Sequence, residues 1–181
     1  MSLESLEKLQ KKLFLEVRDI PFEFVPGTSL NYRKSIESMK KYKKGSCTPK
    51  HFYLGNLYEK QLRLNVLYVT YIFYWTDQEF LSKHLRYISR HLPEQYHLAL
   101  EVGGRIIDAT FDKPLAPTFP VNEFEKCKVS VEYMDSIVHC SPQERIDYVK
   151  NNMKGSHELQ KFYIKLNKYI QTIRKNKEKS K

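Results

Sequence analysis

The sequence predicts an α+β fold in one domain. Three observations point there. Apolar residues recur at three- and four-residue steps near both ends of the chain, the middle is rich in β-branched and aromatic residues around a Gly-Gly turn, and the two kinds of segment are grouped rather than alternating. With 181 residues, 41% of them hydrophobic, and 13 Tyr, 10 Phe and 1 Trp, the chain has enough apolar surface to bury a core.

Leu3, Leu6, Leu9, Leu13 and Val17 mark an amphipathic first helix. Pro21 and Pro26-Gly27 break it into an extended connector. Tyr32, Ile36 and Met39 predict a short second helix that ends in the basic stretch Lys40–Lys44. Cys47 opens a third, with Pro49 tolerated near a helix start and Leu54, Leu57, Tyr58 and Leu62 on one face. Leu64 to Trp75 predicts a strand. A partly helical connector with Leu81, Leu85 and Ile88 ends at Pro93. Tyr96–Val102 and Arg105–Phe111 predict a hairpin around Gly103-Gly104. Pro114, Pro117 and Pro120 mark a loop, and Val129–Tyr133 predicts a further strand. Ser141 with Glu144 is a capping-box start, and Leu159, Phe162, Leu166, Tyr169 and Ile173 form the face of a last helix running out into lysines.

The expected organisation is an N-terminal helix and connector (1–30), a core (31–140) and C-terminal helices with a basic tail (141–181), all in one domain. No apolar run approaches the roughly 18–20 residues of a membrane span. The first residues mix charges with leucines, unlike a secretory leader. Three cysteines, Cys47, Cys127 and Cys140, are too few for a disulfide framework, so a reduced, cytoplasmic protein is expected. The 31 Lys+Arg against 21 Asp+Glu give a net charge of +10, which suits a polyanionic partner, with the lysine-rich C-terminal tail as the contact. No recognition motif accompanies that tail, so a solvated helix end is the favoured reading of it.

Cys47 is the first candidate for chemistry. Gly45-Ser46-Cys47 sets a thiol at a helix N-terminus, where free N–H groups and the helix dipole favour the thiolate, and Lys43 and Lys44 add positive potential. The small residues before it are expected to let a substrate backbone approach. A Gly-Gly hairpin turn pairs Val102 with Arg105, so opposed residue numbers add to 207. That register makes His97 and Asp108 diagonal neighbours on one face, roughly 7–8 Å apart along the backbones. The other face carries Leu98, Leu100, Val102, Ile107, Ala109 and Phe111. Cys, His and Asp in this arrangement suit a thiol acyl-transfer enzyme, with Cys47 as nucleophile, His97 as base and Asp108 fixing the imidazole.

These residues also carry a resemblance. Gly45-Ser46-Cys47, the helix after it and the strand Leu64–Trp75 resemble the nucleophile block of the transglutaminase-like superfamily. Tyr96-His97-Leu98-Ala99-Leu100-Glu101-Val102 and Ile107-Asp108-Ala109-Thr110-Phe111-Asp112 resemble its His and Asp blocks. The similarity runs from about Lys41 to Val121. It implies a papain-like core with a nucleophile helix packed on an antiparallel sheet. It also implies acyl transfer, or amide or peptide hydrolysis, through a thioester, without a cofactor. The chain departs from named subgroups: Thr48 stands where crosslinking transglutaminases carry Trp, Lys41 where papain-type proteases carry Gln, and Lys43-Lys44-Gly45 where arylamine acetyltransferases favour Arg-Gly-Gly. The resemblance therefore implies the superfamily and no particular substrate.

Other residues receive blander expectations. His51, one turn after Cys47, is within reach of the thiol but is expected on the helix surface or facing the sheet. Asp112 shares a face with Asp108 and competes for its orienting role. Cys127, His139 and Cys140 fall short of a metal-ligand pattern and are expected to be structural. His84 and His91 are expected in solvent. The run Tyr68, Tyr71, Phe73, Tyr74, Trp75 is expected to pack in the core, its outer rings lining a substrate groove. The alternative for the whole chain is a non-catalytic basic module that binds nucleic acid or an acidic protein.

Overall fold

A computed structural model describes residues 2–115 and 136–179. The loop around Pro117 and Pro120, the strand expected at Val129–Tyr133 and Cys127 lie outside the described residues. Among the described residues there are six α-helices: α1 (Leu3–Arg18), α2 (Tyr32–Tyr42), α3 (Cys47–Leu57), α4 (Lys83–Ser89), α5 (Pro142–Gly155) and α6 (His157–Lys179). One antiparallel sheet contains β1 (Leu67–Phe73), β2 (Gln95–Val102), β3 (Arg105–Ile107) and β4 (Val138–Cys140) in the order β3-β2-β1-β4. The class is α+β, and no described helix is long and apolar enough to cross a membrane.

Local chemistry sets the helix starts. Ser2, Asn31 and Ser82 each accept a backbone N–H three residues on, and Ser141 and Glu144 complete the capping box at α5. The α3 helix continues through a single π turn, Tyr58–Leu62, before Arg63 leaves it in a left-handed conformation.

The sheet is covered on both faces. Tyr68, Leu98, Leu100 and Val102 pack with Leu13, Phe14 and Val17 of α1 and Phe52 and Leu54 of α3. Val69, Tyr71, Phe73 and Ala99 on the other face pack with Leu81, Leu85 and, from α6, Phe162, Leu166 and Ile170. The two faces follow the period-2 alternation of side chains along a strand.

The hairpin has the expected register: Val102 opposes Arg105, Glu101 opposes Ile106 and Leu100 opposes Ile107. Gly103 (φ 58°) and Gly104 (φ 74°) supply the two left-handed positions that such a turn requires. The expected strand to Phe111 stops at Ile107, however. Ala109 joins the α1/α3 side as expected, but Phe111 packs on the other side, with Phe22 and Trp75. The ladder ends because the next backbone groups find partners elsewhere. The Ala109 N–H donates to His51 Nε2 (3.0 Å), the Thr110 N–H to Asp108 Oδ1 (2.8 Å), and the Thr110 carbonyl accepts from Lys50 Nζ (2.7 Å). The expected strand at Leu64–Trp75 likewise narrows to Leu67–Phe73, with Trp75 opening a short 3-10 turn.

Candidate active site

Cys47 is the first residue of α3, behind an N-cap Ser46 whose side chain makes no capping bond. The first N–H groups of a helix lack intrahelical partners, so the Cys47 end of α3 carries the positive end of the helix dipole, although Pro49 contributes no N–H. The approach to it is pinned by a parallel bridge between Phe22 and Gly45, with Gly45 N–H donating to the Pro21 carbonyl (3.1 Å) and Glu23 N–H to the Gly45 carbonyl (3.1 Å). Gly45 does not open the site to substrate as expected. A Cβ there would lie 2.5 Å from Met39 Sδ and 3.1 Å from Pro49 Cγ, so the glycine lets α2 pack against the start of α3.

The His97 ring is buried, and its Nε2 lies 2.7 Å from Asp108 Oδ2. Asp108 is fully buried and also accepts the Tyr71 hydroxyl (2.8 Å) and the Thr110 N–H. With Nε2 turned to Asp108, Nδ1 is the ring nitrogen outside that contact, and His97 and Cys47 border the same cleft. Burial pushes the Cys47 thiol up, but the hydrogen bond and charge of His97 outweigh it, helped by the Arg145 charge and the Leu98 N–H. The thiol is brought down to about 6. For His97, burial favours the neutral ring, and the charge and hydrogen bond of Asp108, with those of Cys47, lift it to about 9. Burial raises Asp108, yet His97 holds its carboxyl well below the usual carboxylate range. The directions agree: His97 favours the thiolate of Cys47, and Asp108 favours the imidazolium of His97.

His51 and Lys50 lie behind these three residues. His51 is wholly buried, so of its two expected places, on the helix surface or facing the sheet, the surface is excluded. Its Nδ1 donates to the Cys47 carbonyl (2.9 Å) and its Nε2 accepts the Ala109 N–H, which fixes the neutral Nδ1–H tautomer. Burial pushes it down to about 4, in keeping with that neutral form. An Nε2 that accepts from an amide cannot also donate to Asp108, so the 3.4 Å separation from Oδ1 is proximity and not an ion pair. Lys50 is also wholly buried, and its ammonium donates to the carbonyls of Arg18 (2.8 Å), Ile20 (2.8 Å) and Thr110 (2.7 Å). Burial pushes it down to about 7, while three carbonyls match the three N–H bonds of the charged form. Residues 50 and 51 thus tie α3 to the segment carrying Asp108.

Arg145, from α5, completes the site. Its Nε donates to Thr48 Oγ1 (3.0 Å), Nη1 to the Tyr96 carbonyl (2.7 Å), and Nη2 approaches Cys47 Sγ at 3.6 Å. The Tyr148 ring lies beneath the guanidinium, 5.0 Å from its centroid. Cys47, His97 and Arg145 border a cleft of about 520 Å³ whose walls are mainly apolar, with the rings of Phe22, Phe24, Phe73, Trp75 and Tyr163 among them. Phe24 and Tyr163 stack at 3.7 Å, and Asn167 of α6 holds the Phe24 backbone through both its N–H and its carbonyl.

The remaining candidates are placed elsewhere. Asp112 accepts from Arg174 (2.6 Å) and from the Phe22 N–H (2.9 Å), so it clamps α6 to the connector and does not orient His97. His139 pairs with Glu101 (2.8 Å), and Cys140 is a free thiol raised by burial. Among the described residues no group of three His, Cys, Asp or Glu is placed to hold a metal. His84 and His91 are exposed. Tyr68, Tyr71, Phe73 and Trp75 are buried, Phe73 and Trp75 also lining the cleft, whereas Tyr74 is exposed. The basic tail is not free helix end throughout, because Lys177 donates to the Pro114 carbonyl (2.7 Å).

Sequence reasoning missed Tyr71, Thr110, Lys50 and Arg145. Thr110 was legible as the residue opposite His97 in the hairpin register, and its Oγ1 lies 3.0 Å from His97 Nε2. Nothing in the sequence signals Arg145, which arrives from an element 98 residues after Cys47. Comparison with protein-family models, with curated proteins and with solved structures finds no match.

Proposed function

We propose that the chain is a cysteine enzyme with a transglutaminase-like, papain-type core that performs acyl transfer or amide hydrolysis through a thioester. The observation that carries this reading is His97, 2.7 Å from Asp108, bordering the same cleft as Cys47, whose thiol its charge lowers. The thiolate of Cys47 attacks an amide or peptide carbonyl carbon, and the carbonyl electron pair moves onto oxygen. As that pair returns, the C–N bond breaks and His97 gives its proton to the departing amine. Water or a second amine then attacks the thioester, His97 takes the incoming proton, and the C–S bond breaks to restore the thiolate. Asp108 keeps the imidazolium oriented and compensated throughout. The apolar walls favour a substrate with an apolar body next to its reacting carbonyl. The free thiols of Cys47 and Cys140 fit a reducing compartment such as the cytoplasm.

The test is a panel of amides, peptides and thioesters offered to the purified protein and to Cys47→Ala. Turnover that Cys47→Ala abolishes supports the reading. A protein that turns over none of them, yet binds polyanions equally well with and without Cys47, is instead a basic binding module.

A further inference from the structure

Arg145 is a buried cation, 5% exposed, and no carboxylate pairs with it among the described residues. Buried charges are ordinarily paired, so a cation left with a hydroxyl, a carbonyl and a sulfur has charge in reserve for something else. A guanidinium carries five N–H bonds. Thr48, Tyr96 and Cys47 each take one, which leaves one on Nη1 and one on Nη2 without a protein partner among the described residues. The residue borders the cleft beside Cys47 and His97. The Tyr148 ring, which the guanidinium overlies, and the bonds to Thr48 and Tyr96 hold the fork in place.

We propose that Arg145 is a catalytic residue: it donates, together with the Cys47 backbone N–H, to the oxyanion that forms on the substrate carbonyl. That oxygen sits two bonds from Sγ when the thiolate has added to the carbonyl carbon. A donor 3.6 Å from Sγ on the cleft side is therefore placed to meet it at the roughly 2.7–3.1 Å that such a donor needs. In the resting state the same guanidinium compensates the thiolate. As the negative charge moves from sulfur to oxygen, the cation is already there and nothing has to reorganise. The proposal rests on the thiol-enzyme reading above.

The test separates oxyanion formation from thiolate formation. p-Nitrophenyl acetate acylates a thiolate through a tetrahedral oxyanion: the S–C bond forms, the carbonyl pair moves to oxygen and back, and p-nitrophenolate leaves. Iodoacetamide alkylates the same sulfur by displacing iodide, with no oxyanion. Both rates are read on the high-pH plateau, where the thiol is ionised in every variant. Arg145→Gln is expected to slow acylation about 10²–10³-fold while changing alkylation less than about threefold. Arg145→Lys keeps the charge but loses the fork, and is expected to fall between wild type and Gln. Should Arg145→Gln fail to fold, Arg145→Lys decides alone, with acylation at least about tenfold slower at unchanged alkylation expected. Parallel changes in both rates, or no change in either, overturn the role of Arg145 and leave the thiol-enzyme reading standing. A wild type whose acylation does not exceed that of Cys47→Ala overturns both.

Discussion

His97 Nε2 and Asp108 Oδ2 lie 2.7 Å apart although the strand ladder that should bring them together stops one residue before Asp108. The hydrogen bond is held from the helix side. His51 takes the Ala109 N–H and Lys50 takes the Thr110 carbonyl, so the segment carrying Asp108 is bound to α3, the helix that begins with Cys47. One rigid element therefore sets both ends of the Cys47–His97–Asp108 row.

Asp108→Asn is expected to slow Cys47-dependent turnover by about ten- to thousandfold, equivalent to about 1.4–4 kcal/mol of transition-state stabilisation. It replaces an acceptor that serves both His97 and the Tyr71 hydroxyl with a donor, so unfolding should also become easier by about 1–3 kcal/mol. Asp112→Asn is the control. It weakens the clamp on Arg174 and lowers the unfolding midpoint, but leaves the pH profile of Cys47 in place. Turnover and thermal unfolding of the two variants check this.

The stability difference between wild type and Asp108→Asn should depend on pH in a defined direction. His97 is raised to about 9 in the folded protein, above an unfolded value of about 6.5. Its contribution is thus fully present below about 6.5 and lost as pH rises through about 9. Urea unfolding of both proteins across that range should show the gap narrowing at the alkaline end.

Lys50→Met should be among the most damaging single changes. It removes three hydrogen bonds from an ammonium to the buried carbonyls of Arg18, Ile20 and Thr110, and hydrogen bonds to charged groups are worth about 1.5–3 kcal/mol each before relaxation. A fall of at least about 3 kcal/mol in unfolding free energy is expected from denaturant titration. His51→Ala, which strands the Cys47 carbonyl and the Ala109 N–H, should cost about 2–4 kcal/mol by the same measurement.

Deleting residues 175–181 should leave fold and thiol chemistry intact, since Arg174 keeps its ion pair to Asp112, although the Lys177 bond to Pro114 is lost. Affinity for a polyanion such as heparin should fall, as read by the salt needed for elution. Arg174→Ala, in contrast, should lower the unfolding midpoint by detaching α6 from Phe22 and Asp112.

Much of this was legible in the sequence. The helix starting at Cys47, the capping box at Ser141 and the hairpin register all follow from local rules, and local rules hold where the structure is local. The register brought His97 and Asp108 to one face although the pairing itself ended early at Ile107. What was not legible depends on distance along the chain. The buried roles of His51 and Lys50 carry no sequence signal because their partners, at Ala109, Thr110, Arg18 and Ile20, are backbone groups about 30–60 residues away. Asp112 looked equivalent to Asp108 by alternation, and distant partners separate the two: Arg174, 62 residues on, and the Phe22 N–H, 90 residues back. Arg145 gave no signal because an arginine near a helix start is indistinguishable from a solvated one until its burial is seen.

The central claim is that His97 holds Cys47 as a thiolate. The most direct measurement is the rate of iodoacetamide alkylation at Cys47, followed by mass spectrometry as a function of pH, in wild type and His97→Ala. In wild type the rate should rise with pH through an inflection near about 6, well before Cys140, which burial raises. In His97→Ala the inflection should move up towards the ordinary thiol value of about 8.5 or beyond. A wild-type inflection already at that ordinary value, or one that His97→Ala leaves unmoved, would contradict the claim.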